Sequence, residues 1–580
     1  MKYSQIIILL SVYLLSTIQS LATPAEAEYG KYQETWTLHP DGSQEYRCYQ
    51  ELTLFTHTAM NSTYGETFIT YNPQYQELKI HNSYVRQKDG TFVRTPANAF
   101  VEVLPAHAKN AAAYNYLKEM VIIHTGLELG ATIVLDYSII SQPGCLPAID
   151  VYQPLLKSSP VKEYQLTFNL PDKATVHYAT TGIRQQPEKK SSGNNQQLKW
   201  IFRNLPAMSR APETGLPNGD IPGLLFSTYP STKEALQTIY KQFDHNESLT
   251  TFTQELIQHC KNQTEQLQTI HNYILSHIDN CPLTLAETNY RLRPVSDILQ
   301  SAYGTEAEKV NLLTALLKTA GIPAIPVAAF ALDNSPAYGL KAVQHLFVQA
   351  QVEGKTYRLS PFSKSPAALN CSCLLNLTNA EELPNQQQPS KIQYQASIQW
   401  KDTKAEATIQ ATFSNLYSSY SPNFADELIQ INQDRKIRQT DENTTISGIS
   451  PVTITKQEDY LLLNLPQTNK GILRTHNYAR YNSKRTNNLL LPNIITEDYN
   501  YTVELPSYLT LCSREIRKEI KNKVGSLLIS IHQEGQQITV RCSLELRKKL
   551  ITPSDYPAFR QLMTEWGDQN NQQLLLKSKS

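Results

Sequence analysis

The chain lacks a charge of either sign to spare. Its 53 basic and 52 acidic residues leave +1 at neutral pH, so no global field recruits nucleic acid or an anionic membrane. No basic cluster interleaved with aromatics supplies a local one. Long apolar runs are scarce too: beyond Leu15, none reaches the roughly 20 residues a spanning helix needs. Several chemical signatures are missing, namely a glycine-rich phosphate loop, a Gly-x-Ser-x-Gly elbow and a His-Glu-x-x-His helix. No repeat of fixed period marks a solenoid. Cysteine is sparse, eight in 580 residues. Cys371-Ser-Cys373 has the wrong spacing for a zinc or redox pair, and no second pair complements it. His277 and Cys281 stand four apart without further ligands. Neither a metal nor a cofactor is expected.

What is present is an ordinary globular composition, 40% hydrophobic and 18% charged, in a chain too long for one core. Three domains are expected. At the start, Lys2, the apolar run Ile6 to Leu15 and the small residues flanking Leu21 in Ser20-Leu21-Ala22 have the form of a signal peptide cleaved after Ala22. A membrane anchor is the alternative, but the run is short for it. No cysteine follows closely enough for lipidation. An exported protein with no transmembrane segment in the mature chain is therefore expected. Export permits disulfides; Cys512 and Cys542, in neighbouring strand-like segments, are the best candidates for a bridge, with two buried thiols as the alternative.

Residues 23–226 alternate short β-type runs with turns such as Asp41-Gly42 and Asp89-Gly90, which predicts a β-rich domain. The 33 tyrosines of the chain suit half-buried sheet faces with their hydroxyls in water; a tyrosine-lined glycan site is the sharper alternative. Across 227–380 the period becomes helical, with Leu267, Ile270, Ile274 and Ile278 on one stripe. Thr305 with Glu308 forms a capping box that opens a helix with Glu306 at its first position. Gly321 and Pro323 end it. Strand-like runs follow at 325–331, 346–352 and 356–359, the last two joined through Glu353-Gly354. The polar stretch 381–390 is expected to be a linker. Beyond it, 391–580 is again β-type, with a terminal helix near 556–565.

The order of a helix behind a glycine, a His-bearing strand and a paired strand ending in x-Pro resembles the transglutaminase-like superfamily. So do Leu313-Thr314-Ala315-Leu316-Leu317, Gly321-Ile322-Pro323-Ala324 and the run from His345 to Pro361. Tyr64-Gly65-Glu66, Tyr71-Asn72-Pro73 and Gly126 to Tyr137 resemble the β-rich domain of unknown function that precedes such cores in exported bacterial proteins. The resemblance implies an α+β multidomain fold with a papain-like core between two β domains, in the periplasm or on the cell surface of a Gram-negative bacterium.

It also implies a Cys-His-Asp apparatus, of which only the histidine is present. The nucleophile's position falls on Glu306, or with a one-residue slip on Ala307. The histidine is His345 and the acid's position is Ser360. Thiolate chemistry favours a helix N-terminus because partial positive charge there lowers a thiol's pKa; Glu306 merely gains about 0.3–1 kcal/mol from the same field. If Glu353-Gly354 is a two-residue turn, Ser360 lies diagonal to His345 across the ladder, where its hydroxyl can hold the ring. The expected function is a non-catalytic binding or scaffolding role towards peptide or another extended polymer. The alternatives are a cysteine-independent amide hydrolase or transamidase using His345, with Cys281, Ser301 or Thr305 as relocated nucleophile, and a glycan-binding accessory protein.

Overall fold

The computed structural model describes residues 25–208, 221–243, 249–330, 339–364, 371–385, 388–401, 404–418, 425–440, 443–475, 477–478, 481, 484–485, 487–513 and 515–578. The expected signal peptide lies outside them. Among them, no helix is long and apolar enough to cross a membrane. The chain divides into two compact units. The first comprises the chain to Leu146 with Pro154–Ala174 and Arg184–Met208; the second comprises Pro147–Gln153, Thr175–Ile183 and everything from Ser209 onward.

The first unit is built on an eight-stranded sheet whose central strands are Val161–Pro171, Ala27–Leu38, Gln44–Leu54 and Thr132–Ser141. Its pairs are antiparallel except for Ala27–Leu38 beside Val161–Pro171. A three-stranded sheet (Glu66–Tyr71, Phe100–Val103, Lys118–Ile123) lays Ile69 and Ile122 against Leu135. Tyrosine behaves differently here from the expected wet hydroxyl. Tyr164 is fully buried and donates to the buried Glu34, to which Tyr46 also donates at 2.7 Å. The carboxylate gives these hydroxyls the partner that burial would otherwise deny them.

In the second unit, strands Asp150–Pro154, His177–Thr181 and Gly223–Ser227 form a small sheet. The core that follows contains helices α1 (Gln263–His277) and α2 (Glu306–Thr319) and strands β1 (Ala324–Phe330), β2 (Val343–Val352), β3 (Lys355–Leu359) and β4 (Cys373–Asn376), in sheet order β3-β2-β1-β4. Every residue of α2 from Ala307 to Leu317 is buried. The helix is enclosed by β1, β2, α1 and the helices Thr250–Ile257 and Val295–Ser301. Two of its buried polar side chains find backbone acceptors: Lys309 donates to the Ile278 carbonyl at 2.8 Å and Thr314 to that of Val310 at 2.7 Å. Gly321, at φ 74°, donates to Lys318 O while Ile322 donates to Leu317 O, a Schellman ending.

Glu381–Asn385, read from composition as linker, is tied to the core. Leu383 donates to Leu374, and Asn385 exchanges bonds with Arg358 and the Cys371 carbonyl. Beyond it, an eight-stranded sheet centres on Lys404–Ser414, Ser390–Lys401, Ile495–Glu504 and Gln537–Leu546. Strict alternation of buried and exposed residues along Ser390–Lys401 gives it one apolar face, which packs on helix Tyr556–Trp566 in a continuous core. The expected Cys512–Cys542 bridge is absent; both thiols are free. Cys512 follows a short strand of a separate four-stranded sheet and is exposed, whereas Cys542 sits on the large sheet facing Asn571 O. Neighbouring β-type runs in the sequence had gone to different sheets.

Candidate functional site

The N-terminus of α2 is locked from both sides. Thr305 caps the helix by accepting from Glu308 N at 3.4 Å, and Glu308 Oε2 accepts from Thr305 N at 2.9 Å, the reciprocal box that the sequence predicts. Glu308 is fully buried. Its carboxylate also accepts from Arg293 N, Nε and Nη2, each at 3.0 Å. The same guanidinium donates to Tyr303 O at 2.7 Å and Ser301 Oγ at 2.9 Å. Ala302, at φ 57°, ends the preceding short helix. At Gly304 a Cβ would sit 3.3 Å from side-chain atoms of Ile298, Glu308 and Lys309, so the turn closes tightly on the helix. The segment 293–305 thus presents the first helical side chain, Glu306, in a fixed place.

That place is opposite His345. Glu306 Oε1 lies 3.4 Å from His345 Nδ1, with side chains 28% and 52% exposed. His345 stands on β2 opposite Ala329 of β1. The two positions that the resemblance implies for nucleophile and histidine are therefore in contact.

Ser360 is placed otherwise. Glu353 and Gly354 form the two-residue turn at φ 51° and 79°, and the ladder runs from Val352↔Lys355 to Val348↔Leu359 in the expected register. It stops one residue before Ser360. The Ser360 hydroxyl accepts from Phe362 N at 3.2 Å, so it does not hold the imidazole; the Glu306 carboxylate does. The Ser360 carbonyl accepts from His271 Nε2 at 2.7 Å. His271, on α1, is fully buried, and burial pushes its pKa down to about 4, so it serves as a neutral donor. The sequence contained a signal for it: position 271 adjoins the stripe of Leu267, Ile270 and Ile274, where a histidine must be buried.

The proposed substitute nucleophiles each have another use. Ser301 Oγ donates to Asp297 O at 2.6 Å, and Thr305 caps α2. Cys281 is buried, its thiol pushed up by desolvation, and its backbone N donates to Gly304 O. The thiol that sequence reasoning missed is Cys371. It precedes β4, is buried, and donates to Gln344 Oε1 at 3.4 Å, beside His345 in the chain. Burial pushes it up to about 12 against the opposing pull of Lys549, and the Glu306 carboxylate pushes the same way. At neutral pH it is a thiol rather than a thiolate, and only the thiolate attacks. The arrangement offers an acid–imidazole pair open to solvent, without an ionised sulfur.

Comparison with known proteins bears on the whole architecture. Residues 250–359 match the model of the transglutaminase-like superfamily. Flanking it, residues 40–209 and 459–576 match two families of domains of unknown function that have solved structures, DUF3857 and DUF3858. Among solved structures, a protein of Parabacteroides distasonis described as a "putative protease" is similar over 95% of this chain and 99% of its own, with 37% identity and a TM-score of 0.77. None of the curated proteins matches.

Proposed function

The chain belongs to the transglutaminase-like superfamily, and from that premise we propose that it is an exported, non-catalytic member that binds peptide or another extended polymer. The observation that carries this reading is the Glu306–His345 contact at 3.4 Å. A carboxylate occupies the helix position from which a thiolate would attack, and it takes up the imidazole that would have activated sulfur. Burial keeps the nearby Cys371 thiol protonated. A half-exposed carboxylate and imidazole still offer hydrogen bonds to a peptide's amides or termini. Export rests on the N-terminal segment.

The same contact favours a second reading. A carboxylate-oriented histidine can act as general base towards water, and the similar Parabacteroides protein is described as a "putative protease". One experiment separates the two: the purified mature protein is incubated with amide, peptide and ester substrates beside His345→Ala and Glu306→Gln variants. No turnover above the variants is expected. Turnover abolished by His345→Ala would replace binding with hydrolysis.

A further inference from the structure

Far from the Glu306–His345 pair in the sequence, the outer face of the C-terminal eight-stranded sheet carries a groove of about 750 Å³. Its floor consists of side chains in register across adjacent strands. Ser447, Gln410, Gln395 and Asn500 follow one another as direct cross-strand neighbours. Beside them Thr408, Ser397 and Thr502 form a second row. Every one of these seven groups is an uncharged amide or hydroxyl. Exposed sheet faces ordinarily carry charge; here the charged side chains of the same face, Glu406, Asp498 and Glu504, stand outside the two rows, and Arg541 lies on the next strand beside Asn500. Among the described residues, Gln395, Gln410 and Asn500 make no side-chain hydrogen bond, so their donors and acceptors face the groove unspent.

The wall is built by a backbone irregularity. The register of strand Gln433–Gln439 shifts between Gln433 and Lys436, and Asp434 takes φ 50°. Gly448 permits the fold-over: at φ 156°, a Cβ there would lie 2.4 Å from Ile431 Cγ2 and 2.6 Å from Gln433 O. The wall adds no net charge. Arg435 is paired with Asp426, and Asp434 and Lys436 offset each other.

We propose that this groove binds an uncharged, linear oligosaccharide lying across the strands. A sugar hydroxyl both donates and accepts, as do amide and hydroxyl side chains, and the seven side chains of the two rows themselves hold no charge. The spacing agrees as well. Strands repeat about every 4.8 Å across a sheet, close to the length of one pyranose residue in an extended chain. Successive sugars therefore meet successive rows of the same chemistry. Gln and Asn also lose side-chain freedom on binding, and among the described residues no aromatic lines the groove, so the affinity is modest and gains from several sugars bound together.

Affinity electrophoresis of the full chain through gels containing hydroxyethyl cellulose, glucomannan, xylan, hyaluronan or alginate tests this. At least one neutral polymer should retard the protein, and the matching hexasaccharide should bind in solution calorimetry. The solvent-facing triple variant Gln395→Ala, Gln410→Ala, Asn500→Ala should weaken binding at least tenfold, as should Ser397→Arg, which sets a bulky charge on the floor. His345→Ala should leave it unchanged. Absence of retardation by every neutral polymer, retardation by the anionic ones alone, or retention by both groove variants would overturn the proposal.

Discussion

Replacing Glu308 by alanine probes the clamp that positions the candidate site. The carboxylate is fully buried and accepts three bonds from Arg293 and one from Thr305, while the Arg293 side chain is only 14% exposed. The substitution takes the counter-charge from a guanidinium that cannot move into water without unfolding the 293–305 turn. Breaking one partner from such a buried pair costs about 3–5 kcal/mol, and loss of the capping acceptor adds roughly 1 kcal/mol. With 2–4 °C per kcal/mol for a cooperative unit of this size, the transition containing the core should fall on the order of 10 °C. Differential scanning calorimetry measures it directly. The double replacement Arg293→Met, Glu308→Leu should recover most of the loss, because an apolar pair leaves no charge stranded. If the single variant melts within a degree or two of the parent, or the double variant is as unstable as the single, the clamp is not an electrostatic one and the reasoning fails.

Three further outcomes are expected. The double variant Glu306→Cys, Ser360→Asp should react with a thiol alkylator faster than any native cysteine, because position 306 is a helix N-terminus facing an imidazole; equal labelling rates, read by mass spectrometry, refute the register. Acid should loosen the β2–β3 hairpin. His271 binds its proton near pH 4 in the fold and near 6.5 when unfolded, so between those values the unfolded state takes up more protons, and up to about 3 kcal/mol is lost as pH falls. Hydrogen exchange of peptides covering 355–362, corrected for intrinsic rates, should report this, and His271→Gln should flatten it; a flat profile in the parent removes His271 as the anchor. In the C-terminal sheet the sign reverses. Burial raises Glu497 to about 7, so the folded state holds its proton more tightly and stability declines from pH 5 to 8; Glu497→Gln should abolish that decline in urea titrations followed by Trp566 fluorescence, and an unchanged slope would sink the assignment.

Much of the local structure was legible because its causes are local. Thr305 and Glu308 cap a helix by contacts three residues apart. Glu353-Gly354 sets its own turn and therefore the register of every pair up to Val348↔Leu359. Alternating burial in Ser390–Lys401 likewise needs no knowledge of the partner. Where the reading failed, the missing information was long-range. The all-round burial of α2 depends on β1, β2 and three other helices. The separation of Cys512 from Cys542 depends on which sheet each strand joined. The partner of Ser360 is a histidine 89 residues earlier in the chain.

The candidate site divides along the same line. The family resemblance nominated His345 and Glu306, with Ala307 one residue away, and the box at Thr305 dictates that Glu306 stands first on α2. Only the tertiary packing could decide that the two touch, that the Ser360 hydroxyl turns to Phe362 instead, and that Cys371 approaches Gln344 as a desolvated thiol. Orientation and desolvation are properties of what surrounds a side chain, and those surroundings are assembled from segments that the linear sequence keeps apart.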